Sequence, residues 1–288
     1  MLPGSTHTVF TGTDVMPSSY PVGIFDSGVG GLTVVAAIRR AMPREKLLYL
    51  ADVARQPYGT KSPRTVIRYA VQAAEFLVAR GIKALVVACN TASAVALEAI
   101  SARFPDLPVL GVVEAGAAGA ALASVSGRIV VAATEGTCRS QAYERAIMRR
   151  RSDASVTCVP CPLFVTLAEE GLTDGAIVES VARHYLDPLF SRADGGANDG
   201  DCLVLGCTHF PLLAPALGRL AGPGVRLVDC AEATAALLAE TLAGREAPAD
   251  SPGGLTLVST DAPDRFAHIA ARLFPALGDG LTVELADL

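Results

Sequence analysis

Two of the seven cysteines in this 288-residue chain close nearly the same phrase. "LVVACNTAS" carries Cys89 and "LVLGCTHFP" carries Cys207. In each, an apolar run stops on a cysteine, a short polar residue follows, and a helix-forming stretch begins. That pattern puts a thiol at the carboxyl end of a buried strand, just before a helix start. Such a thiol could be half of a metal site, a nucleophile with its base, or an acid–base group. A fourth reading is that Cys207 merely packs.

The metal reading joins Cys158 and Cys161 of "CVPC" to Cys207 and His209 in a tetrahedral zinc set. Against it, the chain has no second C-x-x-C, and the prolines suit a turn. The nucleophile reading pairs Cys207 with His209, whereas thiol dyads draw their histidine from elsewhere in the fold. It also leaves Cys89 without a role. The acid–base reading uses both thiols: one removes a proton from a carbon, the other returns one on the opposite face, and the configuration inverts. A thiol of ordinary pKa, about 8.5, is only slightly ionised at neutral pH, and a helix start favours the thiolate. Asp26 is placed to assist Cys89, and His209 to assist Cys207. The remaining cysteines, Cys138, Cys158, Cys161, Cys202 and Cys230, read as small buried or incidental thiols.

Two further motifs fail their usual tests. "DSGVGG" (Asp26 to Gly31) lacks the Lys-Ser/Thr of a phosphate loop and the dinucleotide spacing, leaving a Gly-rich turn able to hold an anion such as a carboxylate. A pyridoxal cofactor needs a lysine in the site. Lys46 and Lys83 fall just before strands, at the wrong end of a parallel sheet, and Lys61 has no phosphate cup beside it. No cofactor is expected.

The elements that must carry these residues alternate strand and helix. Strands are read at "VGIFD", "KLLYL", "ALVVA" and "PVLGVV", with helices over 30–42, 62–80 and 91–104. The rhythm repeats through "RIVVAA", "SVTCV", "CLVLG" and "VRLVD", with helices after Thr137, over 174–190, from Pro211 and from Glu232. Strands apolar throughout imply parallel sheets covered on both faces. Superposing the two series aligns Asp26 with Thr134 and Cys89 with Cys207, as duplicated halves would. Ligands of such sheets bind at the carboxyl ends of strands, where both cysteines fall. "LTLVS" near the end has no counterpart and is free to rejoin the first sheet. "SRADGGANDGD" reads as a surface loop and the first twenty residues as a flexible arm.

Half of the residues, 51%, are hydrophobic and 18% charged, which suits a buried core; the net charge of −5 and the lack of a basic cluster disfavour nucleic acid. No apolar run approaches the ~18–20 residues of a membrane span, and no secretory leader is legible. An odd number of cysteines in a long chain points to reduced thiols and a cytoplasmic setting.

"GIFDSGVGGLTV", "ADVARQPYGTKS", "VVACNTASA", "CPLFVTLAEEG" and "LVLGCTHFPLL", in that order, resemble the cofactor-independent aspartate/glutamate racemases, and among them those acting on glutamate. The resemblance covers nearly the whole chain after the arm. It implies an α/β fold of two pseudosymmetric domains with mainly parallel sheets and the active site in the interdomain cleft. The arm would span 1–20, the first domain 21–113 plus 231–288, and the second 114–230. It also implies Cys89 and Cys207 as catalytic thiols, assisted by Asp26, His209 and Glu169. Asp26, Ser27, Tyr58, Gly59, Asn90, Thr91, Thr208 and His209 would bind the substrate, with Thr134 and Thr137 as weaker candidates. The product would be D-glutamate for peptidoglycan. An aspartate racemase and a non-catalytic amino-acid-binding regulator are the alternatives, and a homodimer stays open. Two residues depart from the family's habit: Glu114, where proline is common, and Cys230, where a serine or similar small residue is.

Overall fold

The computed structural model describes residues 17–190, 200–277 and 281–288. Most of the expected arm and nearly all of the 191–201 loop therefore lie outside the described residues.

The first half follows the strand–helix alternation closely. β1 (Val22–Asp26), α1 (Leu32–Ala41), β2 (Lys46–Ala51), α2 (Pro63–Ala79), β3 (Ala84–Val87), α3 (Asn90–Arg103) and β4 (Val109–Gly111) succeed one another, with a 3₁₀ turn at Val53–Arg55. Helix α2 starts where Ser62 accepts the Thr65 amide and Pro63 fills the first turn, whose N–H would have no partner in any case. The expected strand "PVLGVV" stops at Gly111, and Val112 opens α4 (Val112–Ala123) instead. Both valines are buried either way, so a short apolar run could not tell strand from helix.

The second half repeats the plan with β5 (Arg128–Ala133), α5 (Glu135–Ser140), α6 (Ala142–Arg150), β6 (Ser155–Pro160), α7 (Pro162–Glu169), α8 (Ala176–Phe190) and β7 (Cys202–Gly206). The single helix expected after Thr137 is two, split at Gln141, which has a left-handed φ of 54°. A 3₁₀ turn at Phe210–Leu213 precedes α9 (Ala214–Ala221), then β8 (Arg226–Asp229) and α10 (Cys230–Thr241). The chain ends with β9 (Gly254–Ser259), α11 (Pro263–Leu273) and β10 (Val283–Leu285). The sequence reading did not foresee α4, α7, α11 or β10.

Strand order makes the duplication visible. One sheet reads β10-β9-β2-β1-β3-β4 and the other β6-β5-β7-β8. The blocks β2-β1-β3-β4 and β6-β5-β7-β8 match position for position, and every pairing is parallel. "LTLVS" joins the first sheet as β9, beside β2. Behind the sheets' facing ends, one apolar cluster runs from Val22 and Leu47 of the first sheet to Ile129 and Val204 of the second, through Ala117 of α4 and Leu238 of α10.

One expectation about thiols changes. Cys138 and Cys158, read as separate, are joined in a disulfide with Cα atoms 5.4 Å apart. Strand register sets Val131 of β5 beside Cys158, and α5 follows β5 directly, so the pairing depends on the fold and not on sequence spacing. Of the residues read as a zinc set, Cys158 is thus occupied, and no cluster of three or more metal-ligating side chains forms among the described residues. No helix among them is long and apolar enough to cross a membrane.

Candidate active site

In each half the strand order reverses between the first and third strands, and at such a switch point the loops part to leave a crevice. Here the two crevices face each other and make one cavity of about 200 Å³. The first half supplies Asp26 at the end of β1 and Ser27 just beyond it, Gln56–Thr60 after β2, and Cys89–Thr91 after β3. The second supplies Thr134 and Glu135 after β5, Pro162, Val165 and Thr166 from α7 after β6, and Cys207–His209 after β7. Equivalent strand ends meet across the cavity, so Cys89 and Cys207 enter it from opposite halves.

The two thiols have different surroundings. Cys89 precedes α3 and donates to Ser27 Oγ at 3.7 Å. Burial pushes its pKa well up, and the neighbouring Asp26 carboxylate pushes it further. Cys207 precedes a 3₁₀ turn and not the α-helix expected there, because Pro211 and Pro215 delay the first regular turn to Ala214. In place of a helix start it has His209, whose Nδ1 lies 3.8 Å from its sulfur. The other ring nitrogen, Nε2, is 3.1 Å from Glu169 Oε1. Burial alone would discharge the imidazole, but its hydrogen bonds with Cys207 and Glu169, and their charges, hold its pKa up at about 10.

Asp26 caps the turn into α1 by accepting the Gly31 amide at 2.9 Å with Oδ2. Its Oδ1 is buried with no partner among the described residues, although the side chain lines the cavity. Burial raises its pKa, against the pull of His209 and three backbone amides. A cationic group beside Oδ1 would complete that carboxylate's coordination. Gly30 lets this turn touch the other half: a Cβ there would stand 2.6 Å from His209 Nδ1.

Hydroxyls line the opposite wall. Thr91, Thr134 and Thr137 form a triangle with sides of 2.9, 3.0 and 3.3 Å. No lysine or arginine is among the lining residues. Anionic groups would meet threonine hydroxyls, Asn90 and the amino-terminal end of α3. Tyr143 OH fixes the Asn90 amide by donating to Oδ1 at 2.6 Å, and Cys230 Sγ lies 3.1 Å from the same hydroxyl. The atypical Cys230 therefore reaches the cavity through two contacts, by way of Tyr143 and Asn90. Glu114, the other departure, pairs with Arg149 and Arg150, away from it. Tyr58 is buried and donates its hydroxyl to Asp52, which also binds Arg55.

Of the residues expected from the sequence to be catalytic or substrate-binding, all but Glu169 and Thr137 line the cavity, and those two touch residues that do. Sequence reasoning missed Gln56, Pro57, Thr60, Glu135, Pro162, Val165 and Thr166. Gln56 and Thr60 flank "PYG", a motif already noted, and position along β2's loop was the available signal.

Two mirrored α/β halves with one thiol each at a shared cavity define an amino-acid racemase, an isomerase. The Asp/Glu/hydantoin racemase family matches residues 31–238. The glutamate racemase of Geobacter metallireducens is 49% identical over 267 residues, 92% of this chain and 96% of its own. Among solved structures, that of a Bacillus anthracis glutamate racemase superposes with a TM-score of 0.86 at 36% identity, covering 94% of this chain and 98% of that one. A Francisella tularensis glutamate racemase, in complex with D-glutamate, gives 0.83 at 32% identity over the same shares. The chain belongs to the Asp/Glu/hydantoin racemase family.

Proposed function

We infer that this protein interconverts L- and D-glutamate, using its two thiols as the acid–base pair and supplying D-glutamate for peptidoglycan. The observation that carries the reading is the entry of Cys89 and Cys207 into one cavity from matched strand ends of opposite halves. A planar carbanion between them can be protonated from either side.

In the L-to-D direction the Cys207 thiolate takes the Cα proton, and the electron pair left on Cα is shared with the adjacent carboxylate. The Cys89 thiol then delivers its own proton to the opposite face, so one proton enters and one leaves. Cys207 ends as the thiol and Cys89 as the thiolate, the form suited to the reverse reaction. The surroundings fit that division of labour. The raised pKa of Cys89 keeps it a proton donor at rest, and the protonated His209 sets a cation beside the sulfur that receives a proton.

The substrate's ammonium group would neutralise the unpartnered Asp26 Oδ1. Its two carboxylates would be held by Ser27, Asn90, Thr91, Thr134 and Thr208 together with backbone amides. Closure of the halves over a small cavity excludes water and strengthens every one of these contacts. Circular dichroism of L-glutamate with purified protein and no added cofactor tests the reading: ellipticity should decay to zero. Decay with aspartate alone would make the protein an aspartate racemase, and binding without decay a regulator.

A further inference from the structure

Glu169 sits at the carboxyl end of α7, outside the cavity wall, and the loop after β2 reaches across the cleft to it. Gln56 Nε2 donates to Glu169 Oε1 at 2.5 Å, the same oxygen that lies 3.1 Å from His209 Nε2. The Gln56 side chain is laid flat against the "DSGVGG" turn. Gly28 makes room for it, since a Cβ there would come within 2.6 Å of Gln56 Oε1. A neutral donor from the first half thus completes a relay of the second: Gln56, Glu169, His209, Cys207.

We propose that Gln56 is a positioning residue of the first half that holds the Glu169 carboxylate against His209 and so steadies the imidazole beside Cys207. The inference rests on the racemase reading of Cys207. Geometry favours Gln56 over its neighbours for this role. Arg272 of α11 also crosses to this turn, but it donates to the Glu169 backbone carbonyl and leaves the carboxylate free. Arg265 of α11 acts on the carboxylate only through its charge. Besides His209, Gln56 is the side chain that hydrogen-bonds the carboxylate itself, and the bond to Gln56 contributes to holding the Glu169 pKa below its ordinary value. No charged group other than His209, Arg265 and Arg272 is recorded facing Glu169 among the described residues.

The test compares full-length wild type with Gln56→Met, which keeps length and loses the donor, and Gln56→Glu, which keeps shape and sets a second carboxylate beside Glu169. Racemisation of both glutamate isomers is followed from about pH 3 to 9, a window that includes the range below pH 4.5 in which the Glu169 carboxylate titrates. In both variants the acid limb of the kcat profile should move up, by about one pH unit or more for Gln56→Glu, as loss of a charge-assisted hydrogen bond predicts. Gln56 also lines the cavity, so KM is followed alongside kcat, and the position of the kcat limb is the readout of the relay. A merely structural residue would lower kcat at every pH and leave the limb in place. Acid limbs superimposable on the wild type's in both variants overturn the proposal. Should Gln56→Met fold poorly by circular dichroism, the isosteric Gln56→Glu decides alone. A wild type inert towards glutamate would overturn the racemase reading, whereas an active wild type with unmoved limbs overturns only the role of Gln56.

Discussion

Thr91 Oγ1 of the first half stands 2.9 Å from Thr134 Oγ1 of the second. Each belongs to the segment that follows a strand at its own switch point, and the two hydroxyls meet at the cavity wall between the halves. Either can be donor or acceptor, so the contact can open to receive a carboxylate oxygen and rotate both hydroxyls to donate.

That contact predicts the effect of Thr91→Val. The branched shape is kept and the hydroxyl is lost. KM for glutamate should rise about tenfold or more, the cost of one hydrogen bond to a charged group. L- and D-glutamate carry the same carboxylates, so KM should rise for both isomers. A rise confined to one isomer in steady-state assays would remove Thr91 from carboxylate binding.

Much of this arrangement was legible in the sequence because it is written twice. The paired phrases around Cys89 and Cys207 gave the strand ends, and strand ends in a parallel sheet give the cleft. What stayed hidden depended on contacts between the halves. Gln56 reads as an ordinary polar loop residue until α7 is seen beside it. Cys138 and Cys158 pair only because β5 and β6 lie side by side. The terminal α11 and β10 follow a strand with no counterpart in the duplication, so the repeat gave no guide to them.

Replacing either thiol should stop turnover without unfolding the chain, since both line the cavity and the change to alanine removes a single sulfur atom. Cys89→Ala and Cys207→Ala should each lose at least the ~10²–10⁴-fold that one positioned acid–base group supplies. In D2O the wild type should form product carrying deuterium at Cα while unreacted substrate stays mostly protonated. Product free of deuterium, read by mass spectrometry, would exclude two separate thiols.

Stability should depend on pH through His209 and Glu169. The His209 pKa is raised from 6.5 to about 10, so its stabilisation is complete below pH 6.5 and is lost as pH rises through about 10. The Glu169 pKa is lowered from 4.5: burial opposes this, but the hydrogen bond and charge of His209 outweigh it. Its share is complete above pH 4.5 and is lost on acidification. Between those two limits the pair is whole. The Tm difference between wild type and His209→Gln should therefore be largest near about pH 6 and shrink as the wild type is taken past pH 10. A difference independent of pH would mean that the imidazole is not held charged in the folded protein.

At the other end of the strands, Lys83 and Glu45 form an ion pair of 2.7 Å with side chains 0% and 3% exposed. Lys83 also donates to the carbonyls of Ser18 and Arg245, while Glu45 accepts the Ala247 amide. The pair thereby ties the residues before β1 and the segment after α10 to the first sheet. Removing one partner strands a buried charge. Lys83→Met should cost about 3–5 kcal/mol, whereas adding Glu45→Gln to it should recover a large part, because the second change takes away the orphaned charge. Urea unfolding of both single variants and the double variant measures this coupling. Racemisation per folded molecule should be unchanged in all three, since the pair lies at the amino ends of the strands and the cavity at their carboxyl ends. A double variant less stable than Lys83→Met alone would show that the Glu45 hydrogen bond to the Ala247 amide outweighs the cost of its orphaned charge.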